Sequence, residues 1–277
     1  MDTSQLMESQ IAFLGAGNMA SAIINGLLAT GFSPRQLRAT DPSEKALEGL
    51  RAVGMEQLST SPERLCDGAD LIVAAVKPQM MSAALAPLKN KLGPDAALLS
   101  IAAGIPIASL QQDIGESTPV IRCMPNTPAM IGKGASALYA SEQVTESQRQ
   151  LAEAVTNAVG MTVWVAEESL LDAVTAVSGS GPAYFFALIE AVTRAGTQLG
   201  LSPETALALT LQTAIGAAEL AQRSEVPVAK LRENVTSPGG TTEEALVALR
   251  EGRFDAVIAE AVRRCAERAT TLGEEFG

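Results

Sequence analysis

The segment IAFLGAGNMA, residues 11–20, joins a short apolar run to a glycine-rich turn. Ile11–Gly15 is predicted to be a buried strand and Asn18–Thr30 a helix that ends at Gly31. The turn has the pattern G-x-G-x-x-A and consists of Gly15, Ala16, Gly17, Asn18, Met19 and Ala20. In this pattern the first glycine makes a tight turn, the second admits a pyrophosphate, and the small third residue lets the helix pack on the strand. The segment therefore predicts a dinucleotide site, with the phosphates on the helix N-terminus.

Apolar runs alternate with helix-like segments up to about residue 165. Further strands are predicted at Gln36–Thr40, Leu71–Val76, Ala97–Ile101 and Val120–Cys123. Strands that lack in/out alternation and are separated by helices indicate a parallel sheet covered on both faces. We therefore predict an α/β fold, in which residues 1–165 form a Rossmann-type, doubly wound parallel sheet.

No strand is predicted after Trp164. Helices are predicted from Pro182, over Thr205–Gln222, and near Thr242–Arg250 and Phe254–Leu272. The segment Thr205–Gln222 is apolar nearly all the way round, so as a helix it must be covered on every side. A partner subunit is the expected cover, and we assign residues 166–277 to a helical domain that pairs with a second copy.

Composition limits the kinds of function. Apolar residues make up 47% and charged residues 18% of the chain, which excludes a disordered protein. The net charge of −11 argues against nucleic acid or an anionic membrane as a partner, and it keeps an apolar chain soluble. The chain has no histidine, so catalytic triads and histidine-ligated metals are excluded, and no metal site is predicted.

The sequence also predicts a cytoplasmic protein. Its three cysteines, Cys66, Cys123 and Cys265, are an odd number without a CxxC motif, which fits a reducing compartment. The polar start MDTSQLMESQ does not resemble a signal peptide. No apolar run reaches the roughly 20 residues that a membrane span needs.

Three residues at strand ends each have two interpretations. Asp41 either binds the ribose hydroxyls of NAD or caps the helix that begins at Pro42, and nearby arginines leave NADP open. Lys77 is either a solvated loop residue or, as we favour, a contact to cofactor or substrate. The prolines around Asn126, in RCMPNTP, either only shape the loop or hold this amide rigidly near the nicotinamide.

Two further segments are typical of anion binding. Ser178-Gly179-Ser180-Gly181-Pro182 and Thr236-Ser237-Pro238-Gly239-Gly240-Thr241-Thr242 each precede a predicted helix. Glycines and hydroxyls at a helix N-terminus make an anion receptor from backbone N–H groups, although each segment could also be a simple helix cap. Two such segments beside a dinucleotide site favour a bound carboxylate.

Six stretches together resemble the pyrroline-5-carboxylate reductase family over essentially the whole chain. They are FLGAGNMA, AVKPQ, SIAAG, RCMPNTP, DAVTAVSGSGPAY and ENVTSPGGTTEEAL. The resemblance implies reduction of the cyclic imine 1-pyrroline-5-carboxylate to L-proline by NADPH or NADH, the final step of proline biosynthesis. It also implies a homodimer that assembles into a larger homo-oligomer such as a decamer, with active sites built from both subunits.

The resemblance assigns roles to individual residues. Thr242 would act as the catalytic hydroxyl near the ring nitrogen, and Asn234 would reach a cofactor ribose of the partner subunit. The implied substrate-binding residues are Glu168, Ser178, Ser237, Gly239, Gly240, Thr241 and Thr242. The implied cofactor-binding residues are Gly15, Ala16, Gly17, Asn18, Met19, Ala20, Asp41, Ala75, Val76, Lys77, Pro78, Ala102, Ala103, Asn126 and Asn234. Asp41 departs from several relatives, which carry serine there, and this leaves the choice between NADPH and NADH open.

The expected chemistry does not require histidine. A protonated cyclic imine is already an electrophile, so its reduction needs positioning more than a strong acid. A hydroxyl or water can manage the nitrogen proton. Two alternatives remain: a 3-hydroxyacid dehydrogenase, for which Lys230 would have to be the catalytic lysine, and a dinucleotide-binding regulator without turnover.

Overall fold

The computed structural model describes residue 6, residues 8–65 and residues 67–276. The predictions for most of the N-terminal segment and for Cys66 lie outside the described residues. The strands are β1 (Ile11–Leu14), β2 (Leu37–Thr40), β3 (Gln57–Ser59), β4 (Leu71–Ala74), β5 (Ala97–Ser100), β6 (Val120–Met124), β7 (Gly134–Ala140) and β8 (Gly160–Trp164). The α-helices of the first part are α1 (Asn18–Ala29), α2 (Glu44–Ala52), α3 (Met81–Leu85), α4 (Ile107–Ile114), α5 (Glu146–Asn157) and α6 (Leu170–Val174). Those that follow are α7 (Gly181–Gln198), α8 (Pro203–Arg223), α9 (Val228–Asn234), α10 (Thr241–Glu251) and α11 (Phe254–Phe276).

The strands form one sheet in the order β3-β2-β1-β4-β5-β6-β7-β8. All neighbours from β3 to β6 are parallel, as predicted for a doubly wound sheet. One pair departs from the prediction, since β6 and β7 are antiparallel. Only a short turn with the 3₁₀ helix Thr127–Ile131 joins these two strands, and a parallel neighbour would need a long crossover. The strand order reverses between β1 and β4, the position where such sheets bind ligands.

Both faces of the sheet are covered, which explains why its strands lack alternation in the sequence. In β1, Ile11 and Phe13 belong to one apolar cluster, together with Ile23 and Leu27 of α1. Ala12 and Leu14 belong to a second cluster, with Leu85 of α3 and Leu110 of α4. Successive residues of one strand therefore enter different cores, and both must be apolar.

Two of the cysteines have described side chains. Cys123 and Cys265 are both free thiols. Burial raises the pKa of the Cys123 thiol to about 12, and a hydrogen bond with Ser136 opposes this only in part. The Cys123 thiol is therefore protonated and unreactive at neutral pH.

Contacts within the chain divide it into two compact units. One extends to Ser180 and includes the residues from Cys265 onward, and the other is Gly181–Arg264. This division follows packing, whereas the predicted bounds of 1–165 and 166–277 follow the change from strands to helices. As predicted, the described residues after Trp164 form no strand. In the described part of the chain, none of the helices has the length and apolar character to cross a membrane.

The second unit leaves much apolar surface uncovered. Of the residues in α8, only Ala206 is buried. Leu209 and Ile215 of this helix are 56% and 58% exposed, and Phe185 of α7 is 65% exposed. The sequence predicted that α8 must pack against surfaces outside its own domain. Its exposed apolar residues in the single chain agree with this prediction.

Gly26 allows α1 to approach the turn before β8. A Cβ atom on Gly26 would lie 2.5 Å from the carbonyl oxygen of Ala158. Helix propensity alone predicts that Gly26→Ala stabilises the protein, but this clash should destabilise it by about 1–3 kcal/mol. Urea unfolding at one protein concentration measures the difference. The control is Gly49→Ala in α2, where nothing lies within 4 Å of the added atom and stability should rise by about 0.5–1 kcal/mol. Equal shifts in the two variants would contradict the close packing.

Candidate active site

The ends of β1 and β4 meet at the switch point of the sheet. Gly15 follows β1 with φ +104, a conformation that favours glycine. The backbone N–H of Ala75, just after β4, donates to the carbonyl of Leu14 at 2.8 Å. A Cβ on Gly15 would lie 2.7 Å from the carbonyl oxygen of Ala75. Only glycine therefore allows these two turns to approach this closely.

The helix start after this turn fits a bound pyrophosphate. Gly17 is the N-cap of α1, no side chain caps the helix, and its first turn contains no acidic residue. A Cβ on Gly17 would meet no atom within 4 Å, so the space above this residue is open. Ala20 is 1% exposed and seats the helix against the sheet. The first N–H groups of a helix lack internal partners, and together with the macrodipole they favour an anion.

Asp41 follows β2 and holds the glycine turn. The backbone N–H of Ala16 donates to its Oδ2 at 3.0 Å. The backbone N–H of Ser43 donates to its Oδ1 at 2.9 Å. The N-cap of α2 is Ser43, so Asp41 organises the approach to this helix without occupying its cap position. This arrangement places a carboxylate beside the turn that would cradle the cofactor, where its charge would oppose an additional phosphate.

Neither nearby arginine pairs with Asp41. Arg38 donates from Nη1 to the backbone carbonyl of Asp67. Arg35 is exposed and lies in the short 3₁₀ helix Pro34–Gln36.

The other predicted cofactor residues follow parallel strands at the same edge. Ala75, Val76, Lys77 and Pro78 come after β4, with Lys77 exposed at the start of the 3₁₀ helix Pro78–Met80. Ala102 and Ala103 come after β5, and Ala102 is 7% exposed. Because the carboxyl ends of parallel strands share one edge, these segments line the same side of the sheet as the glycine turn.

Asn126 follows β6, and both ends of its amide bind the protein. Its Nδ2 donates to the carbonyl of Ser178 at 3.1 Å. Its Oδ1 accepts from the backbone N–H of Ala135 at 2.8 Å. Asn126 therefore connects two of the segments that the sequence analysis selected for binding.

Glu168 forms a largely buried ion pair that sequence reasoning missed. Its Oε1 lies 2.7 Å from Nη1 of Arg122, whose side chain is only 10% exposed. The same oxygen accepts from the backbone N–H of Ile107, the first residue of α4, at 2.8 Å. Arg122 lies in the buried strand β6, and a charged residue in an apolar strand requires a partner. The arginine at the start of RCMPNTP could therefore have indicated a buried ion pair. It does not reveal which acidic residue is the partner.

The segment around Ser178 differs from the loop expected before a helix. Thr175–Gly179 is a π-helical turn that continues from α6, and the Ser178 hydroxyl donates to the carbonyl of Val174 at 3.1 Å. The side chain therefore bonds to the carbonyl four residues earlier in its own helix, as Ser and Thr hydroxyls in helices commonly do. Such turns occur often at functional sites.

The second unit holds the remaining substrate-binding candidates in one turn. Gly239 has φ +65, and its N–H donates to Oε2 of Glu243 at 2.6 Å. A Cβ on Gly240 would lie 2.9 Å from the carbonyl oxygen of Ser237, so this turn also requires glycine. Thr241 and Thr242 begin α10, whose N-cap is Gly240 and whose N-terminus has no side-chain cap. Asn234 is exposed at the end of α9.

The candidates are thus divided between the two units. Ser237, Gly239, Gly240, Thr241 and Thr242 lie together in the second unit, which also contains Asn234. Glu168 and Ser178 belong to the first unit, with the glycine turn and the segments after β2, β4, β5 and β6. Among the described residues, no group of three or more histidine, cysteine, aspartate or glutamate side chains could hold a metal ion.

The fold and the glycine turn together define a dinucleotide-binding protein of the doubly wound α/β class. Residues 10–104 match the family described as NADP oxidoreductase, coenzyme F420-dependent, and residues 168–272 match the family described as pyrroline-5-carboxylate reductase dimerisation. The chain belongs to the pyrroline-5-carboxylate reductase family. The member from Pseudomonas aeruginosa is 48% identical over 97% of this chain and 98% of its own.

Two solved structures extend this similarity to the fold. A pyrroline-5-carboxylate reductase from Coxiella burnetii is 38% identical, covers 96% of this chain and 98% of its own, and has a TM-score of 0.92. The Plasmodium falciparum pyrroline carboxylate reductase with NADP bound is 31% identical, with the same coverage of 96% and 98% and a TM-score of 0.85.

The charge of Asp41 should decide between the two cofactors. We predict that Asp41→Asn raises the ratio of kcat/KM for NADPH to that for NADH about tenfold, because one repulsion of the phosphate disappears. Steady-state kinetics with each cofactor measures this ratio. Glu44→Gln removes an exposed carboxylate three positions further on and should leave the ratio unchanged. If Asp41→Asn behaves like that control, Asp41 does not face the cofactor ribose.

Proposed function

We propose that this chain reduces 1-pyrroline-5-carboxylate to L-proline with NADPH or NADH, the final step of proline biosynthesis. The observation that carries the proposal is the glycine turn, which has room for a pyrophosphate above Gly17, in a chain that belongs over its full length to this reductase family. The intact turn Ser237–Thr242 supports an anionic substrate, because it presents a helix N-terminus without a side-chain cap.

In the proposed site, Gly15–Ala20 holds the pyrophosphate and Asp41 faces the adenosine ribose. The residues after β4, β5 and β6, including Lys77, Ala102, Ala103 and Asn126, border the nicotinamide side. Asn234 contributes to a cofactor ribose from the partner subunit. When bound, the reduced nicotinamide supplies a hydride to the imine carbon.

The turn Ser237–Thr242 of the second unit receives the substrate in this proposal. Glu168 and Ser178 of the first unit stay proposed substrate-binding residues, as the family resemblance implies. The N–H groups of Thr241 and Thr242 receive the carboxylate of the imine. The Glu243 carboxylate accepts from the N–H of Gly239, and so it does not cap the N–H groups of Thr241 and Thr242. The Thr242 hydroxyl hydrogen-bonds to the ring nitrogen, which carries a proton both in the reactive iminium form and in the product amine.

The two alternative functions receive less support. A hydroxyacid dehydrogenase would depend on Lys230, but its Nζ pairs with Oε2 of Glu233 at 3.0 Å and the side chain is 60% exposed. A lysine that is exposed and engaged in a surface ion pair is poorly placed to act as the catalytic base of a substrate site. A regulator without turnover would not need the turn Ser237–Thr242, since cofactor binding requires only the first unit.

The helical unit lies within the residues that match the dimerisation family. We propose that dimers of this chain assemble further, up to a decamer. The apolar surface of α7 and α8 supports association with a second copy. No nucleic acid or membrane partner is proposed, in keeping with the net charge of −11. We place the enzyme in the cytoplasm, because Cys123 and Cys265 are free.

Absorbance at the reduced nicotinamide band tests the reaction. Protein mixed with pyrroline-5-carboxylate and NADH or NADPH should consume cofactor and form an equal amount of proline. Gly17→Val is the control, since nothing lies within 4 Å of the added Cβ and the variant should fold normally. Its side chain would occupy the pyrophosphate space, so cofactor binding and turnover should both be lost. Tight cofactor binding by the wild type without oxidation would contradict the proposal and favour the regulator.

The hydroxyl of Thr242 should affect turnover more than substrate binding. Thr242→Val removes a hydrogen bond to a charged nitrogen, and we predict a loss of about 10- to 100-fold in kcat. Thr242→Ser retains the hydroxyl and should keep most of the activity. Steady-state kinetics of the two variants gives the comparison. A kcat for the valine variant equal to that of the serine variant would exclude this role.

A further inference from the structure

The last helix ends against the first unit. From Cys265 onward, the residues of α11 belong to that unit. The Cys265 thiol donates to the Ser180 hydroxyl at 3.2 Å, and the Thr270 hydroxyl donates to Oδ2 of Asp172 at 2.8 Å. Ala269 is 6% exposed. Cys265, Ala269 and Gly273 are four residues apart, so they lie on the same face of the helix.

At Gly273 this face reaches the segment after β5. A Cβ on Gly273 would lie 2.9 Å from the carbonyl oxygen of Gly104. In the other direction, a Cβ on Gly104 would lie 3.4 Å from the backbone nitrogen of Gly273, and Gly104 has φ +83. Two stretches of backbone are therefore in direct contact, and a side chain at position 273 must displace one of them.

The segment that Gly273 contacts is the one proposed to border the nicotinamide. Ala102 and Ala103 immediately precede Gly104. The far end of this segment is fixed, because Ile107 donates to Glu168, which is held by Arg122. β5 holds one end of this segment and the ion pair holds the other end. The contact of Gly273 with Gly104 restricts the position of the residues between them.

We propose that Gly273 is a positioning residue for the reductase reaction and sets the place of Ala102 and Ala103 against the nicotinamide. The inference rests on the proposed function and extends it to the end of the last helix. A side chain at position 273 displaces the Gly104 carbonyl and, with it, the two alanines. The cradle for the pyrophosphate lies after a different strand, β1, so binding of the adenosine half of the cofactor is unaffected.

The test compares two ligands that differ in the nicotinamide. Gly273→Val should weaken binding of NADPH and NADH about tenfold and lower kcat by a similar factor, since small misplacements at a reacting centre are costly. Binding of ADP-ribose, which lacks nicotinamide, should equal that of the wild type. Gly273→Ala should show the same pattern with a smaller effect, and it guards against misfolding because alanine favours helix. Thr271→Val places the same valine side chain at an exposed position of the same helix turn and should change the binding of neither ligand.

Three results would overturn the inference. One is unchanged nicotinamide affinity and kcat in both Gly273 variants. Another is an equal loss of affinity for NADH and ADP-ribose. The third is a loss of the folded oligomer in both variants. Either of these last two results would indicate a general structural role. The binding comparison uses no imine, so it gives its answer independently of whether pyrroline-5-carboxylate proves to be the substrate.

Discussion

The contact between the ends of β1 and β4 is the constraint on which the rest of this structure depends. The backbone after β4 lies so close to Gly15 that a Cβ there would be 2.7 Å from the Ala75 carbonyl. This approach places the start of α1 at the point where the strand order reverses. It also presents the Ala16 N–H to Asp41, so the second strand is tied to the same turn. A dinucleotide site arises here because backbone geometry, with few side chains, brings three strand ends together.

Features that are determined by residues close together in the sequence could be predicted. The glycine turn, the strands β1 and β4 and the helix α8 each have a local cause, in turn geometry or in the density of apolar residues. The antiparallel strand β7 could not be predicted in the same way. Its sequence GASALYA is rich in small residues of weak strand propensity, and its direction depends on the short connection from β6. The three-residue edge strand β3 and the short helix α9 also lack a strong pattern.

The roles of the polar site residues were harder to predict, for a physical reason. Glu168 pairs with Arg122, 46 positions away, and with the backbone of Ile107, 61 positions away. Asn126 similarly binds Ser178, 52 positions away. A buried polar group must find a partner, and the protein itself supplies one before any ligand arrives. Sequence spacing identifies such residues as unusual but cannot distinguish a ligand contact from a partner brought close by the fold.

The helical unit illustrates how assembly can complete a core. Within the single chain, α8 buries only Ala206, although apolar residues surround the helix. Exposing Leu209, Ile215 and Phe185 to water costs free energy that a second copy would recover by covering them. Because such burial would exist only in the oligomer, the stability of this unit would depend on protein concentration. The turn that carries Thr242 belongs to this unit, but its geometry is local. Gly239 donates to Glu243 and Gly240 donates to the carbonyl of Ser237, so this turn is formed within the single chain.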